Sequence, residues 1–197
     1  MYELIRGPLV WIAFLVFIGG SLFRLFRMWQ LAVKEKTVLP TMDFKHGTRS
    51  IRHWMVPFAS RNMRMNPLFT VVSFAFHICL LITPLLVMGH AVLWEESLGF
   101  SWWSLPASVA DGMTLVVIFG CGFFMVRRLV APEVRNVTTP GDMAMVLLVM
   151  APFLTGFIAH RQWLPGETMT VVHIISGAAW LAAIPFTRLS HILWFFF

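Results

Sequence analysis

Five of the seven histidines in this chain lie in, or at the ends of, long apolar runs: His77, His90, His160, His173 and His191. Imidazole is costly in hydrocarbon, so an ionisable side chain in such a run is a functional candidate. Neutral imidazole binds transition metals through one ring nitrogen. His173 and His191 bracket the stretch "HIISGAAWLAAIPFTRLSH". Eighteen residues make five turns of 3.6 and advance about 27 Å, so the two share one face of a continuous helix. His77 and His90 bracket "HICLLITPLLVMGH". Thirteen residues advance about 20 Å but rotate by about 220°, which is not one face. Pro84 lies between them and can kink or unwind the helix. His46 and His53 lie in a basic polar stretch and read as ordinary polar residues or lipid-headgroup contacts.

The elements that must position these histidines follow from composition. Of 197 residues, 58% are hydrophobic and 12% charged, with a mean hydropathy of +0.78. A water-soluble domain has no surface of that kind. Long unbroken apolar runs, rather than weak alternation, indicate an all-α integral membrane protein. Five segments reach the length of about 20 residues that a bilayer requires. They fall at about 8–28, 68–94, 110–129, 142–160 and 168–194, in a single membrane domain spanning 1–197 with a polar loop at 30–66. The first run has no small-residue cleavage site and is followed by "RLFR", so it reads as a retained anchor. Cys79 and Cys121 lie inside apolar runs without a CxxC or CxxCH pattern, which argues against covalent haem, a zinc knuckle or a disulfide framework.

Charge sets the expected orientation. Arg24, Arg27, Lys34, Lys36, Lys45, Arg49, Arg52, Arg61 and Arg64 lie between the first two segments, and Arg127, Arg128 and Arg135 follow the third. The other connections hold Glu95, Glu96 and Asp111, then Arg161 and Glu167. The positive-inside rule places the basic loops in the cytoplasm, the N-terminus outside and the C-terminus inside. The net charge of +6 thus reads as topology, and nucleic acid is not an expected partner. The second half of the loop, "RSIRHWMVPFASRNMRMNPLF", mixes basic, aromatic and Met residues. It suits either an amphipathic segment along the bilayer interface or a docking surface for a soluble partner.

This topology pairs the histidines by depth. The second and fifth segments are antiparallel, so His90 matches His173 near the outer surface and His77 matches His191 near the inner one. Two imidazoles per site, stacked across a bilayer, suit two bis-histidine haems held between the second and fifth helices. Arg188, three residues before His191, lies on a neighbouring position and can pair with a haem propionate or snorkel to headgroups. Gly89, directly before His90, leaves room for a flat macrocycle or marks a close helix contact. His160, with Glu95, Glu96 or Asp111, is a candidate for hydrogen bonding and proton transfer at the outer surface.

The five segments, the "FH…GH" second segment and the "H…PFTRLSH" fifth resemble the gamma subunit family of respiratory nitrate reductase, which includes haem b membrane subunits of electron-transfer complexes in sulfate-reducing organisms. The resemblance covers most of the chain. It implies two haems b, on His90 with His173 and on His77 with His191. It further implies quinol oxidation near the outer haem, with menaquinol the expected donor, and electron delivery to a cytoplasmic iron–sulfur subunit of a bacterial or archaeal respiratory complex. The chain would then act as a subunit of an oxidoreductase. Two departures favour the sulfate-reducer branch: the wide spacing of His77 and His90, and the lack of a lysine in "AVLWEESLGFSWWS". The alternatives are a subunit that reduces quinone instead, another di-haem cytochrome b such as a hydrogenase-type subunit, and a cofactor-free anchor or scaffold whose histidines bond only between helices. A transporter fits poorly, since paired broken helices and midplane acids are missing from the pattern. The orientation has its own test. A reporter active only in the cytoplasm is expected to work when fused after Phe197, and activity of an exported reporter there would invert the topology.

Overall fold

The computed structural model describes residues 4–35 and 44–194. Of the expected loop, residues 36–43, with Lys36, lie outside the described set, as do 1–3 and 195–197. Among the described residues the structure is helical, without strands. A π-helical turn at Ile5–Leu9 leads into α1 (Val10–Lys34). Then come α2 (Phe44–Met55), α3 (Arg61–Met65), α4 (Pro67–Leu86), α5 (Met88–Leu98) and α6 (Ala107–Val130). A short α7 (Pro132–Arg135) precedes α8 (Pro140–Arg161), α9 (Gly166–Ala183) and, after two 3-10 turns, α10 (His191–Trp194). Five helical stretches are long and apolar enough to cross a membrane: Ile5–Lys34, Pro67–Leu86, Ala107–Val130, Pro140–Arg161 and Gly166–Phe186. The chain is a multi-pass membrane protein.

The chain forms two compact units, one of residues up to Pro67 and from Ile174 onward, the other of Leu68–His173. In the second unit α6 packs against α8. Val117 and Cys121 are fully buried on α6, and Val149 and Phe153 are buried on α8. The interior is closed by Gly120, whose missing side chain admits the ring of Phe76 from α4: a Cβ there would lie 2.8 Å from Phe76 Cδ2. Phe124 meets Phe76 edge-on at 5.1 Å and Phe69 at 6.0 Å, and Arg127 lies over Phe69. A capping box starts α8. Thr139 Oγ1 accepts from the Asp142 N–H, while Asp142 Oδ2 accepts from the Thr139 N–H at 2.9 Å and its hydroxyl at 2.8 Å. The buried Asp142 carboxylate is therefore supplied with donors. In the first unit α1 meets the chain that follows α9: a Cβ on Gly20 would lie 2.8 Å from Pro185 Cγ.

Three expected boundaries are corrected. The first helix continues to Lys34, so the loop starts later than residue 30. The second segment is not one helix over 68–94: it breaks at Val87 (φ −70°, ψ 133°), three residues after Pro84. The fifth is not continuous over 168–194. It ends at Ala183, and Thr187 is extended (φ −120°, ψ −175°) between two 3-10 turns. Pro185 brings no N–H to the ladder, and its ring crowds the carbonyl four residues back. The Thr187 hydroxyl then takes over part of the ladder's task, donating to Ala183 O at 2.9 Å and accepting from the Leu189 N–H at 3.3 Å. The five-turn count placing His173 and His191 on one helix face therefore does not hold, because the residues between them do not follow one 3.6-residue period.

Gly120→Ala is expected to destabilise the protein by about 1–3 kcal/mol, since overpacking forces the Phe76 ring from its place. Gly122→Ala is the control, with nothing within 4 Å of its would-be Cβ. Unfolding in mild detergent by chemical titration compares the two, and equal stability would contradict this packing.

Candidate functional site: the His90–His173 pair

The break at Val87 builds the site. In an uninterrupted helix the carbonyls of residues 84, 85 and 86 would each accept from an N–H four residues on. Here the His90 N–H turns from Leu86 O to Val87 O, at 3.1 Å, an oxygen that also accepts the regular bond from the Ala91 N–H at 3.2 Å. Three carbonyls in an apolar setting then need other donors. His90 Nδ1 donates to Pro84 O at 2.7 Å. Trp102 Nε1 donates to Leu85 O at 2.7 Å, and the Leu105 N–H donates to Leu86 O at 2.8 Å. The loop at 99–106 thus folds back onto the break and holds it. Gly99 starts this return with a left-handed φ of 75°, where glycine has no Cβ penalty.

His173 lies in the second turn of α9. Its Nδ1 donates to Pro152 O at 2.9 Å, an oxygen also reached by the Thr155 hydroxyl at 3.3 Å. The ring can come so close to α8 because residue 156 is glycine: a Cβ there would lie 2.8 Å from His173 Cε1 and 2.9 Å from its Nδ1. The His90 and His173 rings are near-parallel, 17° apart, with centroids separated by 5.9 Å. Carbonyl oxygens only accept hydrogen bonds, so each Nδ1 carries its ring's proton and each Nε2 carries the lone pair.

Of the four expected metal ligands, the structure brings these two together. The other two, His77 and His191, belong to different units. His77 Nδ1 donates to Ser73 O at 2.7 Å, with its ring edge-on to Phe76 at 5.1 Å. His191 Nδ1 donates to the carbonyl of Arg188 at 2.8 Å. The same proton assignment follows for both. Arg188 thereby orients His191 through its backbone, a role its side-chain charge did not suggest. Gly89 is exposed, and a Cβ there would meet nothing within 4 Å.

The proton-transfer candidates separate. Asp111 and His160 are brought together, with His160 Nε2 3.8 Å from Asp111 Oδ1. Arg161, read from sequence only as a loop charge, donates from Nη2 to Asp111 Oδ2 at 2.6 Å. Glu95 instead accepts from the Ser101 hydroxyl at 3.1 Å, and Glu96 is exposed on the same helix. Sequence reasoning missed Gly156, Pro152 and Trp102. The available signals were a glycine four residues after a proline in "PFLTGF" and a tryptophan in the short return loop. Among the described residues no group of three or more His, Cys, Asp or Glu side chains gathers as a metal-ion site.

A protein of Nitratidesulfovibrio vulgaris (strain Hildenborough), named only "Protein", is 38% identical over 204 residues, covering 100% of this chain and 89% of that protein. The chain belongs to that protein's family. No family model matches the chain. No solved structure matches it.

Trp102→Phe keeps an aromatic ring but removes the donor to Leu85 O. It is expected to cost about 1–3 kcal/mol, the penalty of leaving a carbonyl without a donor in an apolar setting. Trp103→Phe, at a residue 68% exposed, is the control. Thermal unfolding in detergent checks the pair, and an unchanged W102F midpoint would show that this bond does not hold the break.

Proposed function

We propose that the chain is a cytochrome b membrane subunit that holds one haem b between His90 and His173 and a second on His77 and His191. The near-parallel outer histidine pair carries this reading. Two neutral imidazoles, each with a lone pair on Nε2, are the donor set that would hold a haem iron. The rings come within 5.9 Å of each other, centroid to centroid and 17° from parallel, which brings two imidazoles to one place in the second unit. Anchoring the remote ring nitrogen on a carbonyl is how metal-binding histidines are oriented and kept basic. All four proposed ligands donate Nδ1 to a backbone carbonyl. The room that Gly156 gives the His173 ring is a further feature that fits the group.

When bound, haem would supply one-electron transfer at its iron, with a potential that the histidine ligands and surrounding dielectric would tune. The chain's own part is positional. Pro84 and Pro152 carbonyls fix the two imidazole planes, Trp102 keeps the Val87 break from re-forming helix, and Gly156 admits the ring. The proposed substrate is a quinol, whose oxidation releases two electrons and two protons. His160 Nε2 takes up a proton in this reading, and the Asp111 carboxylate stabilises the imidazolium formed. Arg161, already bonded to Asp111, holds that carboxylate in place. The resemblance to the nitrate reductase gamma family supports an outside N-terminus and a cytoplasmic iron–sulfur partner as further parts of the same proposal.

Haem extraction from purified protein is expected to yield two non-covalent haems b per chain. His90→Ala and His173→Ala should each remove the same one, halving the content, and Gly156→Ala should lower occupancy of that site alone. A colourless protein, or single variants that leave the visible spectrum intact, would contradict the reading.

A further inference from the structure

The surface of α2 makes no contribution to the haem reading. Its sequence "FKHGTRSIRHWM" sorts cleanly on a helical wheel. At 100° per residue, Ile51, Trp54 and Met55 share an arc of about 100°, and Lys45, Arg49, Arg52 and His53 occupy another arc of about 100° on the opposite side. The apolar face stays open: Trp54 is 54% and Met55 53% exposed, and the chain continues with Val56 and Phe58, also exposed. Residues 44–66 hold five Lys or Arg and neither Asp nor Glu.

Geometry along the chain limits where this helix can be. A membrane-length helix ends at Lys34 and the next starts at Pro67, so the intervening chain is tethered at both ends to the bilayer boundary. The connection after α2 is also stiffened. Phe58 takes a left-handed φ of 64°, and Arg64 Nη1 donates to the carbonyls of Phe58, at 2.9 Å, and Ala59, at 2.7 Å. Ser60 caps α3 by accepting from the Met63 N–H at 3.2 Å. The segment is therefore held short rather than left as a free polar tether.

We infer that α2 lies in the plane of the membrane surface, its Ile51–Trp54–Met55 face in the headgroup–acyl boundary and its basic face toward anionic lipid phosphates. An apolar stripe with Trp, a cationic opposite face and modest overall hydrophobicity is the composition of an interfacial helix. A surface potential of anionic lipid adds attraction for each Lys or Arg near it. Gly47 and Thr48 weaken helix formation in water, so burial of the apolar face is the natural source of its order.

The test uses the full chain in vesicles. Met55→Cys and His53→Cys, on opposite faces, are labelled with a bimane fluorophore; native Cys79 and Cys121 are buried and stay unreacted. In phosphatidylcholine–phosphatidylglycerol vesicles, the label at 55 is expected to be quenched by headgroup-labelled lipid and shielded from iodide by roughly threefold relative to the label at 53. In a K45Q/R49Q/R52Q background that difference should shrink toward its value in pure phosphatidylcholine. Equal iodide access at both positions would overturn the inference. So would shielding at 55 that arises only when a soluble partner subunit is added, which would assign the face to a protein. Neither result depends on haem content.

Discussion

A backbone carbonyl in an apolar environment must be given a donor, and the proposed site exists because one helix fails to supply its own. Pro84 loosens the second membrane segment and Val87 ends it, which releases the carbonyls of Pro84, Leu85 and Leu86. A side-chain imidazole, an indole and a backbone N–H each take one. An unsatisfied polar group in hydrocarbon costs several kcal/mol, so these three bonds are obligations rather than ornaments of the fold. The first of them aims His90.

The same constraint acts in the other unit with a different outcome. Pro185 and Thr187 end the regular part of the fifth segment. There the Thr187 hydroxyl satisfies Ala183 O, and Arg24 donates from Nη1 to Pro185 O at 2.7 Å. Gly20 makes that approach possible, since any side chain would collide with the proline ring. Arg24 thus spends part of its donor fork on a broken helix, beyond the topological role that its charge suggests. After the break, His191 is oriented by a local bond to Arg188 O rather than by helix period. Proline acts in both segments, and what receives the orphaned carbonyls decides which side chain becomes fixed.

Much of this architecture could be read from the residues. The five apolar runs and the interruption expected near Pro84 follow from hydropathy and proline chemistry. So did the meeting of His90 with His173, although the 220° rotation over thirteen residues argued against a shared geometry on a straight helix. What periodicity could not supply was the location of the break, three residues after the proline, because that depends on donors that arrive from the loop at 99–106. It also could not supply Gly156. A glycine in an apolar helix reads as one of 13 until the ring of His173 is seen against it. The shared helix face of His173 and His191 failed for a related reason: counting turns assumes a ladder that Pro185 interrupts. The partnership of Arg161 with Asp111 rests on α6 and α8 meeting, which no local pattern encodes.

The functional proposal stands on whether His90 and His173 share one metal. Electron paramagnetic resonance of the oxidised protein tests this most directly, because the signal of a low-spin bis-imidazole haem depends on the angle between its ligand planes. With the planes 17° apart, the account predicts a rhombic low-spin signal, lost in His173→Ala and retained in His191→Ala. A signal of perpendicular ligand planes for that haem, its survival in His173→Ala, or no haem signal at all would contradict it.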